Sequence, residues 1–296
     1  MRIQPIPAIG LSEVDDLHSA AVGDDFRIYS AECGPNPQGI LLVADGNGLF
    51  GLAVDTVRLM QIPGLVPSIN VVAVGYPSAL TLLDTAEIRA RDLTPSQSAM
   101  FDRSGHADEF IEFLSDELRP WLSNKFPQAV SDITYFGHSL GGLFGTYVLL
   151  THPALFDRYV VSSPSLWWDR ELLFRIEQER STTEADLRAS AFFGIGSLET
   201  DEGRRAEAIN LASDHPFKPP AVHLDMVDDM RRFTGQLASR KYPTLDLQTV
   251  EIADEFHATV PGIVLNRALR YFWKPASADG QPDQSLIDFH APSGAQ

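Results

Sequence analysis

Gly137-His138-Ser139-Leu140-Gly141 is the segment of this 296-residue chain whose residue types are spaced for chemistry. The pattern is G-x-S-x-G, with a strand-type run, Ile133–Gly137, before it and a helix-type run, Gly142–Leu150, after it. On such a strand-to-helix turn a serine hydroxyl stands exposed on strained backbone, and small neighbours let chain and substrate approach. Unpaired N–H groups at the start of the following helix face a developing negative charge. This is the arrangement of a nucleophile poised to attack a carbonyl.

A serine hydroxyl is a weak nucleophile; it needs a base, and the base needs an orienting acid. In a strand–turn–helix setting the partners follow in the chain order Ser, acid, His. His257, in Asp254-Glu255-Phe256-His257-Ala258, comes after the last strand-type run and fits the base. The other seven histidines fit less well. His18 and His106 precede the serine, His138 is inside the turn, and His152 ends the next helix. His215 and His223 come ahead of the last strand, and His290 is in the tail. The acid is expected just after the penultimate strand, Ala191–Gly196, and Glu199 is nearest. Asp201 and Glu202 read as solvated helix-start acids; Asp225 and Asp228 are more remote alternatives. An oxyanion needs two backbone donors. One is expected from Leu140 and the other from the Asp45-Gly46-Asn47-Gly48 loop, with Asn47 favoured over Gly48. A hairpin turn is the competing reading of that loop.

Elements of two kinds must position these groups. Ile40–Ala44, Asn70–Gly75, Ile133–Gly137, Tyr159–Ser162, Ala191–Gly196 and Leu245–Glu251 read as short strands, several apolar throughout, as in a sheet covered on both faces. Helical spacing is clearest over His106–Phe126, where Phe110, Phe113, Leu114, Leu118, Trp121 and Leu122 make one stripe and Pro127 follows. Gly142–Leu150, Glu171–Glu179, Arg204–Ala212, Leu224–Tyr242 and Pro261–Trp273 are the other helix candidates, and Leu52–Met60 has a helical apolar pattern. The alternation predicts an α/β fold with a mostly parallel central sheet and helices on both faces. Phe26–Cys33 is expected to add an antiparallel strand. One domain over 1–273 is expected, with lid or insertion elements within 163–190 and 203–243. Lys274–Gln296, rich in Pro, Gly, Ser and Asp, reads as a flexible tail.

Composition narrows the partners. The net charge is −17, which argues against nucleic acid and against an anionic membrane surface. Glu13–Glu32 carries six acids against Arg27. The single cysteine, Cys33, excludes an intrachain disulfide and a Cys-rich metal site, and no metal or organic cofactor is expected. MRIQPIPAIG lacks the apolar core of a secretory signal, and no run of about 18 apolar residues exists, so a cytoplasmic location is expected.

The chain resembles the esterase family of α/β-hydrolases that contains esterase D-like enzymes and siderophore esterases. The resemblance runs roughly from Phe26 to Phe272. It rests on LLVADGNGLF, VVAVGYPS, RARDLTPS, SGHADEFIEFLSDELRPWL, GIGSLET, FHATVPGIVLNRALRYFW and, most specifically, YFGHSLGGLFGTYVLLTHPALFDRYVVSSPSLWWD. It implies an α/β-hydrolase fold and carboxyl-ester hydrolysis through Ser139 and His257, with Glu199 on the family's acid position, where some members carry Asp. It also implies Arg91 near the pocket and Trp167 and Trp168 beside the nucleophile. The residues themselves leave two plainer readings open: Arg91 salt-bridged to Asp92, and the tryptophans as anchors for the next helix. The expected substrate is a siderophore trilactone or hydroxamate ester, or a small general ester. Acyl transfer or thioester hydrolysis on the same fold, and a non-catalytic binding protein, are the alternatives. Net charge favours esters that are not polyanions. A monomer or homodimer is expected.

Overall fold

The computed structural model describes residues 12–79, 81–207 and 224–273. Eight strands form one sheet in the order β1-β2-β4-β3-β5-β6-β7-β8. They are β1 (Ser12–Ser19), β2 (Asp24–Ala31), β3 (Ile40–Val43), β4 (Asn70–Gly75), β5 (Ile133–His138), β6 (Arg158–Ser162), β7 (Ala189–Gly196) and β8 (Leu245–Ile252). β2 is antiparallel to β1 and to β4, and every other pairing is parallel.

The central strands bury alternate residues in two different cores. Ile40, Leu42, Val72, Val74 and Tyr135 join one core, with Phe110, Phe113, Phe144 and Val148 from helices on that face. Leu41, Val43, Val71, Ala73 and Phe136 join the other, with Val54 and Val57 from α1 (Gly46–Gln61) and Val264 and Leu265 from α9 (Pro261–Phe272). Period-2 side chains on a doubly covered sheet are apolar at every position, which is why these strands read as unbroken apolar runs. The first face carries α2 (Ala86–Leu93), α3 (Ala107–Glu112), α4 (Arg119–Lys125), α5 (Leu140–Thr151), α6 (Trp168–Thr183) and α8 (Met226–Arg240). A π-helical turn, Phe113–Leu118, joins α3 to α4, so the expected helix over His106–Phe126 is one continuous stretch. Among the described residues no helix is long and apolar enough to cross a membrane.

Two elements escape the apolar pattern. β1 is a polar edge strand, SEVDDLHS, held by cross-strand and tertiary ion pairs. Asp16 accepts from Nε and Nη2 of Arg27 on β2, and Lys125 of α4 reaches Glu13 and Asp15. Charged residues on an edge strand deter pairing with other chains. α2 has only eight residues and carries two buried arginines, so no apolar stripe announces it. The acid cluster over Glu13–Glu32 is therefore largely hairpin. In α6, Asp169, Arg170 and Glu171 have left-handed backbone, and regular helix begins after them, as the pattern from Glu171 suggests. The expected tail, 274–296, and residues 208–223 of the expected lid region lie outside the described residues.

α2 is fixed to the sheet by charge. Arg89 donates from Nε and Nη2 to the two carboxylate oxygens of Asp45, at 2.8 and 2.7 Å, with both side chains buried. Removing one partner of such a pair strands a charge in a dry interior. Asp45→Ala is expected to lower the unfolding free energy by about 3–5 kcal/mol in urea denaturation. A loss below about 1 kcal/mol, the range of exposed pairs, would show that Arg89 is neutralised elsewhere.

Candidate active site

Register sets the site. Val43 of β3 pairs with Phe136 of β5, His138 with Ser162 of β6, Ser162 with Gly194 of β7, and Gly196 with Ile252 of β8. Neighbouring strands thus end within two residues of one another at one edge of the sheet, and Asp45, Ser139, Ser163, Glu199 and His257 follow one to five residues beyond those ends. Open α/β sheets bind ligands at this edge.

β5 turns into α5 with no intervening loop, and Ser139 absorbs the whole change of direction. Its φ of 60° and ψ of −116° are unusual for a residue with a side chain. A Cβ at Gly137 would lie 2.2 Å from the Gly141 carbonyl oxygen and 2.5 Å from the Tyr135 hydroxyl, so only glycine fits there. Tyr135 in turn donates its hydroxyl to the Gly141 carbonyl at 2.7 Å. The Ser139 N–H donates to the Ser162 carbonyl at 3.0 Å, and the Ser139 carbonyl accepts from Ser165 N–H at 3.2 Å.

His257 and Glu199 meet across two loops. His257 Nδ1 lies 2.6 Å from Glu199 Oε2. The other carboxylate oxygen accepts from the Ser163 hydroxyl at 2.6 Å and from Gly196 N–H at 2.8 Å. The loops are stitched together: Leu198 N–H donates to the Glu255 carbonyl at 3.1 Å and Asp254 N–H to the Ser197 hydroxyl at 3.0 Å. Glu199 is fully buried and the His257 side chain is 14% exposed. The ring of His138 lies against that of His257, centroids 4.4 Å apart, with Nδ1 3.0 Å from the Ser162 hydroxyl. The structure forms no hydrogen bond between Ser139 Oγ and His257. In sites of this kind such contacts tighten in the substrate complex.

The rival residues are occupied. Asp201 accepts from Leu224 N–H at 2.9 Å and pairs with Arg205. Asp225 caps α8 by accepting from Asp228 N–H, and Asp228 pairs with Arg232. His18, His106 and His152 contact Asp25, Glu109 and Thr151. His215, His223 and His290 lie outside the described residues.

Leu140 is the first residue of α5 and Asn47 lies in the first turn of α1, where N–H groups lack intrahelical acceptors. The DGNG segment is a helix start and not a hairpin, with Asp45 at φ 60°. The Asn47 side chain is a clamp: its amide donates to the carbonyls of Tyr76 and Ala79, at 3.1 and 2.9 Å, and accepts from Tyr76 N–H at 2.8 Å.

The residues expected around the pocket divide. Arg91 is buried and committed, with Nε 2.6 Å from Asp92 and Nη1 2.5 Å from Asp24 of the β1–β2 hairpin. Trp168 is fully buried, donates its indole N–H to Ser96 at 3.1 Å and stacks on Phe101, so it anchors the core. Trp167 is half-buried, and its indole N–H is buried without a protein acceptor. Two cations that act on the site were not singled out from the sequence. Arg89 sits in the same RAR triplet as Arg91, and spacing does not say which of the two faces the DG loop. Arg204, on α7 (Asp201–Glu207), is 11% exposed and pairs with Glu207. Glu207 accepts from Ala258 N–H at 2.7 Å, which ties α7 to the residue after His257.

Burial holds the His257 imidazole well below its ordinary value, and the positive charges of Arg204 and Arg89 add to this. Burial likewise lowers His138, helped by His257. Burial raises Glu199, against the stabilising hydrogen bond from Ser163. At neutral pH His257 is therefore a free base able to accept a proton.

A family model described as "Putative esterase" matches residues 88–218. The chain is 30% identical over 250 residues to the siderophore triacetylfusarinine C esterase of Aspergillus fumigatus, covering 82% of this chain and 84% of that one. It is 31% identical over 261 residues to the siderophore enterobactin esterase of Emericella nidulans, covering 80% and 82%. The crystal structure of the BES protein from Bacillus cereus superposes with a TM-score of 0.73 at 25% identity, over 92% of this chain and 97% of that one. The shared architecture is the α/β-hydrolase fold.

The lowered histidines set a pH dependence. An unfolded histidine takes up its proton near 6.5, and the native His257 and His138 do so only at lower pH. The unfolded state therefore binds more protons in that interval, and these groups' stabilisation is lost as pH falls through it. Glu199, raised in the native state, works in the opposite sense: its contribution is present below its ordinary 4.5 and lost as pH rises through its native value. NMR titration is expected to give His257 and His138 midpoints below 6.5. A His257 midpoint above that value would mean that the Glu199 carboxylate outweighs burial.

Proposed function

The chain belongs to this esterase family and is a carboxylic ester hydrolase, and from that premise we propose that it cleaves a siderophore ester through Ser139, His257 and Glu199. The reading is carried by the 2.6 Å bond from Glu199 to His257 beside the strained turn at Ser139. His257 takes the Ser139 proton as Oγ attacks the ester carbonyl. Glu199 orients the imidazole and offsets its positive charge. The N–H groups of Leu140 and Asn47 receive the oxyanion. The tetrahedral intermediate collapses, the alcohol leaves with the proton from His257, and an acyl group remains on Ser139. Water, deprotonated by His257, then releases the acid.

Trp167 lines the acyl side of the pocket in this reading, because it is the half-buried member of the tryptophan pair and keeps an unused donor. Arg91 supports the wall through its ion pairs and does not bind substrate. The net charge of −17 raises the cost of bringing in a polyanionic ferric catecholate, so a hydroxamate siderophore ester is the favoured substrate. The region 1–273 acts as one domain.

Ser139→Ala is expected to abolish turnover of p-nitrophenyl esters and labelling by a fluorophosphonate; wild-type-like turnover would remove Ser139 from the mechanism. Glu199→Gln is expected to lower kcat by up to about ten-thousand-fold, as loss of the orienting carboxylate does in serine hydrolases. A loss below about tenfold would reduce the site to a Ser–His dyad. In a panel of hydroxamate and catecholate siderophore esters with Ser139→Ala as the blank, the hydroxamate is expected to give the higher kcat/KM. The reverse order would show that local cations override the global field.

A further inference from the structure

The segment Ser162–Ser165 touches both halves of the site. Through Ser162 and Ser165 it bonds both polar groups of the Ser139 backbone. Between them the chain turns at Ser163, whose φ of 44° lies in the left-handed region that favours glycine. The Ser163 N–H donates to the Gly194 carbonyl of β7 at 2.8 Å, which fixes that turn against the strand leading to the acid. Its hydroxyl then falls 2.6 Å from Glu199 Oε1. Neither side chain is exposed at all.

We propose that Ser163 is a positioning residue: its hydroxyl holds one oxygen of Glu199 so that the other is presented to His257. The assignment rests on the Ser139–His257–Glu199 reading above. Three observations argue for it. A glutamate has one more rotatable bond than an aspartate, so an acid of this length must be pinned at its far end to aim at one imidazole nitrogen. Glu199 Oε1 has two donors, Ser163 and Gly196, and Oε2 has His257, which leaves the group no freedom to rotate. And a glycine at 163 would relieve the backbone, so the strain is explained by what the side chain does. The hydroxyl also favours the ionised form of Glu199, countering burial.

Ser163→Ala and Ser163→Gly in the full chain separate positioning from folding. Both remove the hydroxyl, but only glycine suits the backbone angle. Steady-state kinetics on p-nitrophenyl butyrate across pH and thermal unfolding are the measurements. Both variants are expected to lose about 10- to 100-fold in kcat with little change in KM, the range for a hydrogen bond to a charged group. The acid limb of kcat is expected to move to higher pH in both, because Glu199 must ionise without its donor. The glycine variant should melt above the alanine variant and yet be no more active. Recovery of wild-type kcat in the glycine variant would overturn the assignment, as would a wild-type kcat and an unmoved limb in either. Ser139→Ala and His257→Ala run alongside: if these still turn over, the triad reading itself fails. If they are inactive and the Ser163 variants match wild type, only the role of Ser163 fails.

Discussion

A parallel sheet brings the carboxyl ends of its strands to one edge, and the candidate site of this protein depends on that edge. Each of β3, β5, β6, β7 and β8 ends within two residues of its neighbour in register. Between one and five residues beyond those ends lie Asp45, Ser139, Ser163, Glu199 and His257. Had one strand slipped by one residue, its apolar set would have changed face and its terminal polar group would have pointed elsewhere. The two packed cores above and below the sheet prevent that slip, so the same burial that stabilises the fold also aims the site. The strain at Ser139 and Ser163 is affordable because both lie where backbone bonds to neighbouring strands hold them.

Charge acts on two scales. Globally the chain is strongly acidic. Locally the site feels two arginines, Arg89 beneath it and Arg204 beside it, each already matched to a carboxylate. Burial already holds His257 well below its ordinary value, and both arginines push in the same direction. The ion pair of Arg89 with Asp45 also ties the helix after β4 to the loop that starts α1, so a structural contact and an electrostatic one are the same bond.

Much of this was legible in the residues. G-x-S-x-G between a strand and a helix marks Ser139 because the steric demands of that turn are local. Late His257 and post-strand Glu199 follow from the order in which such a sheet delivers its ends. β1 was not legible, because an edge strand with charged alternation looks like a solvated loop until its partner is known. α2 was not legible, because its buried faces are arginines, and two of their carboxylate partners, Asp45 and Asp24, lie 44 and 67 residues away. The arginine pair also shows the limit of spacing: Arg89 and Arg91 are alike in sequence, and only packing sends one to Asp45 and the other to Asp92 and Asp24.

The sequence by itself determined the sharp strand-to-helix turn at Ser139, the α/β alternation and the candidates for nucleophile, base and acid, since these rest on short-range sterics and on hydrophobic periodicity. Tertiary structure decided which carboxylate meets His257, which tryptophan is fully buried and which is half-buried, and that Asn47 clamps its loop with its side chain. It also brought Ser163 onto Glu199. Each of those outcomes is a distance between residues far apart in the chain. Such distances are set by strand register and by which buried charge finds its partner, and neither is written in any local pattern.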